Sequence, residues 1–305
     1  MAWTEFFARW YNGRISPVYS ETQNAGRVLF VSSVTGTDAA GYGGSPESPY
    51  ATLAQAYADV VTGEGWKIIL MPGHAETVDT AAWLTIAKTN LEILGIGNGA
   101  LIPTFTAEGA DAIPLIDINV DAANVTIKHV KFLNSEDACA GFLDINAAGC
   151  TFDDCIFADD GTANSIDFII ADANADDLTI KNCKNWGTDT AGNDSWVSVT
   201  GALDHLTITG CHSHGDFAAG NIVFDAAAID IDIKHNWLEN VNAVDVNIEG
   251  FAALEGWVAE NMCQIPTDGQ VTFINTPGNI GCYENFGANQ PGETGLLIIA
   301  AGVSA

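Results

Sequence analysis

The chain reads NVTIKHVKFLN at 124–134, GCTFDDCIFAD at 149–159, DLTIKNCKNWG at 177–187 and HLTITGCHSHG at 205–215. Each stretch holds a short apolar strand and then a pair of mostly polar residues. Aligned on the central apolar residue, the pattern runs through eight positions: Ile93, Ile127, Phe152, Ile180, Ile208, Ile233, Val258 and Cys282. The steps between them are 34, 25, 28, 28, 25, 25 and 24 residues. A period in the twenties with a strand in every unit is the signature of a solenoid, because one such unit cannot bury its apolar face alone and must stack on its neighbours.

The grammar inside each repeat goes further. Val125 and Ile127 share one strand face, whereas Val130 has the wrong parity to join them, so a corner lies between. Lys128-His129, Asp153-Asp154, Lys181-Asn182, Thr209-Gly210, Lys234-His235, Ala259-Glu260 and Tyr283-Glu284 occupy it and are expected to point outward. The next residue turns back inside. Down the stack it reads Val130, Cys155, Cys183, Cys211, Asn236, Asn261, Asn285, a thiol column that gives way to an amide column. Stacked amides satisfy one another by hydrogen bonds along the column, and stacked thiols pack. A second strand family is expected to complete each coil: 115–119, 142–146, 168–172, 196–200, 222–225, 244–247, 271–275 and 296–300, each followed by turn-forming residues.

With its strand repeat and internal asparagine ladder, the stretch from about 89 to 300 resembles the single-stranded right-handed parallel β-helix, the pectate-lyase-like superfamily. The resemblance implies an all-β rod of eight coils, roughly 38 Å long at ~4.8 Å per coil. It implies no single function, since that scaffold carries lyases, hydrolases, adhesins and viral appendages.

The 305 residues carry 39 acidic and 10 basic side chains, a net charge of −29. Such a field repels nucleic acid, anionic membranes and acidic polysaccharides, so neither nucleic acid nor membrane is an expected partner. Solubility in a salty medium accounts for the charge, and a marine or halophilic source follows. The seven cysteines recur with the repeat and read as reduced core thiols rather than a disulfide framework. No secretory signal is read at the N-terminus, and the longest apolar run, near 296–303, is too short to span a bilayer.

Three segments are expected: an arm at 1–25, a capping module at 26–88 and the β-helix at 89–305. The arm places Trp3, Phe6, Phe7, Trp10 and Tyr11 on one helical face beside Arg9 and Arg14. It reads either as a cap for the solenoid's open end or as an anchor that docks on another protein. The module reads as strand, Gly/Pro-rich loop, helix and strand, with Leu53, Ala56, Tyr57 and Val60 at helical spacing. It resembles the opening module of β-helix proteins of phage and bacterial genomes. His74 after Pro-Gly reads as a turn residue.

For catalysis, the pectin-cleaving members that the fold resembles imply clustered carboxylates with an arginine or lysine, and this β-helix has no arginine. A hydrolase set is nevertheless available: His212, His214 and Asp216 in one loop, with Asp189 and Asp194 in the loop one coil earlier. Asp117 and Asp144 are expected as neighbours in consecutive coils, with Asp245 further down, where like charges raise one pKa or attract a cation. No metal or cofactor is expected. The sequence as a whole reads as a viral structural protein without enzymatic activity. It resembles bacteriophage capsid decoration or appendage proteins, assembled in host cytoplasm, released by lysis and held to the major capsid protein or another virion protein by its arm. A trimer is compatible with it. The alternative is a tailspike-like polysaccharide-binding or polysaccharide-hydrolysing protein that meets a host-surface glycan through exposed aromatics, with Trp186, Trp196 and Trp237 as candidates. A bacterial surface adhesin ranks third.

Overall fold

The computed structural model describes residues 10–11, 14–15, 27–79, 83–108, 116–135, 139–160, 165–187, 193–242, 246–250, 253–264, 274–275, 278–290 and 293–296. It is an all-β, right-handed parallel β-helix of about seven turns, close to the eight expected. The eight aligned positions pair rung by rung from Ile93 to Cys282 without a slip. Ile68 and Leu29 continue that column at the N-terminal end, so the strands Val28–Val31 and Lys67–Leu70 belong to the same sheet. Between them runs the helix Leu53–Asp59, capped by Thr52, whose side chain accepts from the Gln55 N–H. Leu53, Ala56 and Val60 are buried and Tyr57 packs against the core, as the spacing predicts. His74 is fully buried: its Nδ1 accepts from the Ser33 N–H, and Nε2 lies 2.8 Å from Glu76, which in turn accepts from the Leu53 N–H.

Each coil carries three strands, where the sequence reading has two. The first sheet holds the aligned strands. The second begins immediately after the corner and includes Lys131–Asn134, Ile156–Asp159, Lys184–Trp186, His212–Gly215, Trp237–Asn240 and Met262–Gln264. The third contains most of the expected second family, with Cys139–Ile145, Ser165–Ala171, Asn193–Val199 and Phe217–Phe224 as its long strands. The second sheet escapes sequence reading because its inward residues are not uniformly apolar: Phe105, Phe132, Phe157, Asn185, Ser213, Leu238 and Cys263 form one inner column.

The corner residues explain the tight bend. His129, Asp154, Asn182, Gly210, His235, Glu260 and Glu284 all have φ between 50° and 67°, the left-handed region that glycine enters freely and that Asn, Asp and His enter more readily than most residues. A second left-handed set, Asn90, Asn124, Gly149, Asp177, His205 and Asp230, opens the first-sheet strands. Of the partners just before the left-handed corner residues, Ala259 lies on the outer side but is buried, between Lys234 and Tyr283 on the adjacent rungs.

Inside, Val130, Cys155, Cys183, Cys211, Asn236, Asn261 and Asn285 are all buried. The amides form the expected ladder: Asn236 Nδ2 donates to Asn261 Oδ1 at 3.0 Å and Asn261 Nδ2 to Asn285 Oδ1 at 3.1 Å. The same oxygens also accept the Asn236 and Asn261 backbone N–H groups. Cys150, Cys155, Cys183, Cys211, Cys263 and Cys282 are free thiols.

Three expectations need correction. The strand placed at 244–247 is Ile248–Gly250, paired with Ile222–Phe224; Asn247, just before it, is taken up in a buried amide bond with Asn221. Asp144 faces Asn119 across the ladder, not Asp117: the Asp-Ile-Asn shared by 117–119 and 144–146 suggests the other register, and the observed one is shifted from it by two residues, which leaves the alternation of faces unchanged. At the N-terminus, Trp10–Tyr11 and Arg14–Ile15 pair as antiparallel strands, so Trp10, Tyr11 and Arg14 do not share a helical face. Trp3, Phe6, Phe7 and Arg9, with most of the arm, lie outside the described residues, as do Asp189 and Asp245.

Candidate functional site

The segment CHSHGD, expected as a loop, is second-sheet strand. Period-two alternation therefore sends Ser213 inward, where Asn185 Nδ2 donates to its hydroxyl at 3.1 Å, and sends His212 and His214 outward together. The outward column through His212 continues with Trp237, Met262 and Phe286 on successive rungs. Trp186 stands beside it, opposite His214.

These side chains touch. The Trp186 ring meets the His212 ring edge-on at 4.7 Å, and His212 stacks on Trp237 at 4.8 Å with their planes 14° apart. Trp186, Trp237, Met262 and Phe286 are between 40% and 55% exposed, so the column is a surface and not a core. Of the tryptophans considered from sequence, Trp196 is fully buried under the third sheet and takes no part. Burial lowers the His212 pKa, which favours the neutral ring between its aromatic neighbours. His214 Nδ1 lies 2.9 Å from Glu239 Oε2 on the next rung.

At the end of this strand the chain turns into the third sheet through Asp216 alone, whose Oδ1 accepts from Asn242 Nδ2 at 2.8 Å. The third sheet's outer side is acidic. Burial, with Asp172 and Asp121 nearby, pushes the Asp144 carboxyl up to about 6. Burial pushes Asp167 up to about 7; the Ser195 hydroxyl, 2.5 Å from Oδ1, works against that rise, and the charges of Asp194 and Asp225 add to it. Asp194 is exposed on the strand next to Asp167. A carboxyl that keeps a proton near neutral pH can protonate a leaving oxygen.

Of the hydrolase set read from sequence, His212, His214 and Asp216 thus share one strand and its corner, Asp194 stands across that corner beside Asp167, and Asp189 is not described. Sequence reading missed Met262, Phe286, Glu239 and Asp167. Met262 and Phe286 become visible once the second-sheet strand of each coil is recognised, since, like Trp237, each follows a ladder asparagine. Among the described residues no group of three His, Cys, Asp or Glu side chains is placed to hold a metal.

No family model matches the sequence, and no curated protein matches it. Among solved structures the chain is similar to a rhamnogalacturonan lyase at 13% identity, with a TM-score of 0.52 over 87% of this chain and 74% of that one. It is also similar to the GH136 lacto-N-biosidase from Eubacterium ramulus at 12% identity, with a TM-score of 0.45 over 87% and 68% of the two chains. The expectation of a chain without enzymatic activity is thereby corrected: the fold it shares over most of its length is that of an enzyme, and the pectate-lyase-like architecture stands as a fold and not as a link to phage decoration.

Proposed function

We propose that this chain hydrolyses a polysaccharide: a glycan lies along the outer face of the second sheet, and Asp167 on the adjoining third-sheet face protonates the leaving glycosidic oxygen as water adds to the other fragment. The aromatic column carries this reading. It offers one flat or polarizable side chain per rung, at the ~4.8 Å strand spacing, over His212, Trp237, Met262 and Phe286. Sugars present apolar ring faces that pack on such surfaces, and an exposed apolar stripe of this kind on a soluble rod marks a binding site. The net charge of −29 favours a neutral or weakly charged glycan over a polyuronate. Asp167 is the carboxyl best poised to donate a proton.

The test is affinity electrophoresis through gels containing neutral and acidic polysaccharides, followed by reducing-end assays on those that bind. At least one should retard the protein, Trp237→Ala should weaken that retardation about tenfold (~1.4 kcal/mol), and Asp167→Asn should abolish product release while leaving retardation intact. Retardation by none of them, or unchanged retardation in Trp237→Ala, overturns the binding reading.

A further inference from the structure

The outer face of the first sheet carries a second aromatic feature near its C-terminal end, on a different side of the coil from the column above. Three consecutive rungs place Asp232, Trp257 and Gly281 in one column and Lys234, Ala259 and Tyr283 in the next outward one. Large and small residues alternate between rungs, and the small ones leave space. A Cβ at Gly281 would fall 2.2 Å from the Trp257 ring, so the indole rests over the glycine and is held there by its absence of a side chain. One rung back, the ladder bulges between Ala228 and Ile231 opposite Gly256, whose φ of +139° and close approach to the Ile231 backbone also demand glycine.

The result is a cleft of about 510 Å³, within the ~300–1,000 Å³ typical of small-molecule sites. Trp257 and Tyr283 wall it with rings 5.8 Å apart at 74°, and they are 57% and 48% exposed. Asp230, Asp232 and Lys234 edge it. Both carboxylates already face basic partners: Asp232 is paired with Lys234, and Asp230 lies 3.3 Å from His205 Nε2. The cleft therefore presents positioned donors and acceptors beside an aromatic shelf.

We propose that this cleft is a second, independent glycan site that takes a neutral pyranose unit, its ring face on Trp257 and its hydroxyls on Asp230, Asp232 and Lys234. The chain's net charge of −29 disfavours an acidic sugar, and the aromatic walls favour a ring over a linear polyol. It stands apart from the proposed second-sheet face, and with it would let one rod hold a polysaccharide at two places, raising avidity without new contacts at either.

The full-length protein is compared with Trp257→Ala, Gly281→Val and Trp237→Ala in gels containing galactomannan, xyloglucan, mixed-linkage β-glucan, dextran, polygalacturonate or alginate, after melting curves establish which variants fold. Gly281→Val drives the indole off its seat without removing it. At least one neutral polysaccharide should retard the wild type. In the Trp237→Ala background, adding Trp257→Ala should then remove the remaining retardation by at least fivefold, and Gly281→Val should mimic it. Equal migration of wild type and Trp257→Ala in every neutral gel overturns the second site, as does retardation confined to the polyuronates. Loss of effect in Trp237→Ala alone bears only on the second-sheet face, so the two readings fail separately.

Discussion

The N-terminal and C-terminal halves of the rod share one backbone register but fill it differently. In the first half the inner columns are apolar: Phe105, Phe132 and Phe157 stack at 6.2 and 5.2 Å, and the corner column holds Cys155 and Cys183. In the second half the same corner column holds Asn236, Asn261 and Asn285. Thiol and amide use one acceptor, the carbonyl of the aligned apolar residue a coil earlier. Cys155, Cys183 and Cys211 donate to Ile127, Phe152 and Ile180 at 3.5–3.7 Å, and Asn236, Asn261 and Asn285 donate to Ile208, Ile233 and Val258 at 2.7–2.9 Å. Outside, the first half shows Lys131, Ile156 and Lys184 where the second shows His212, Trp237, Met262 and Phe286. One repeat thus separates two tasks, since inward positions set stability by packing or by amide pairing, while outward positions are free to vary for recognition.

The first half should break by cavity formation. Phe132→Ala removes a fully buried ring that touches Phe105, Phe142 and Phe157, and a loss of about 3–5 kcal/mol is expected in chemical denaturation. The second half should break by orphaned polar groups. Asn261→Leu strips the Asn236 amide and backbone N–H of their shared acceptor, at a cost of about 1–3 kcal/mol. An unchanged unfolding midpoint in Asn261→Leu would dissolve the distinction between the halves.

The acidic face gives a smaller, pH-dependent effect. The Asp167 carboxyl is raised to about 7 in the folded chain against an ordinary 3.8. The folded state therefore holds a proton that the unfolded state has released between those pH values. Its stabilising contribution is full below about pH 4 and falls as pH rises through 7. Asp167→Asn should flatten that decline and leave the protein more stable than wild type at pH 8, by about 1–3 kcal/mol in paired pH titrations of the melting transition. The smallest stability effect belongs to the outer column. Trp237→Ala should shift stability by no more than ~1 kcal/mol, mostly its stack on His212, while glycan retardation falls about tenfold. A large destabilisation there would make the column structural instead.

Much of the inside was legible in sequence because the eight aligned residues and the corner column repeat a residue class at a fixed offset, and stacking leaves that offset no freedom. The second sheet was not, because its inner column changes from Phe to Asn and Ser and then to Leu and Cys. No single class marks Lys184–Trp186 or His212–Gly215 as strands. For the same reason His212 and His214 were legible as a pair but not as a strand face, and the Asp-Ile-Asn repeated at 117–119 and 144–146 hid that Asp144 lies beside Asn119.

By itself, the sequence determined the solenoid, its first-sheet register and the thiol-to-amide column, since periodic burial is a property of spacing along the chain. Only the tertiary structure decided that Trp186 and Trp237 lie outside while Trp196 lies inside, that Met262 and Phe286 extend their column, and that Gly281 seats Trp257. Those facts depend on which residues from coils some 25 apart in sequence come to lie on adjacent rungs, and on which side of the wall each then falls.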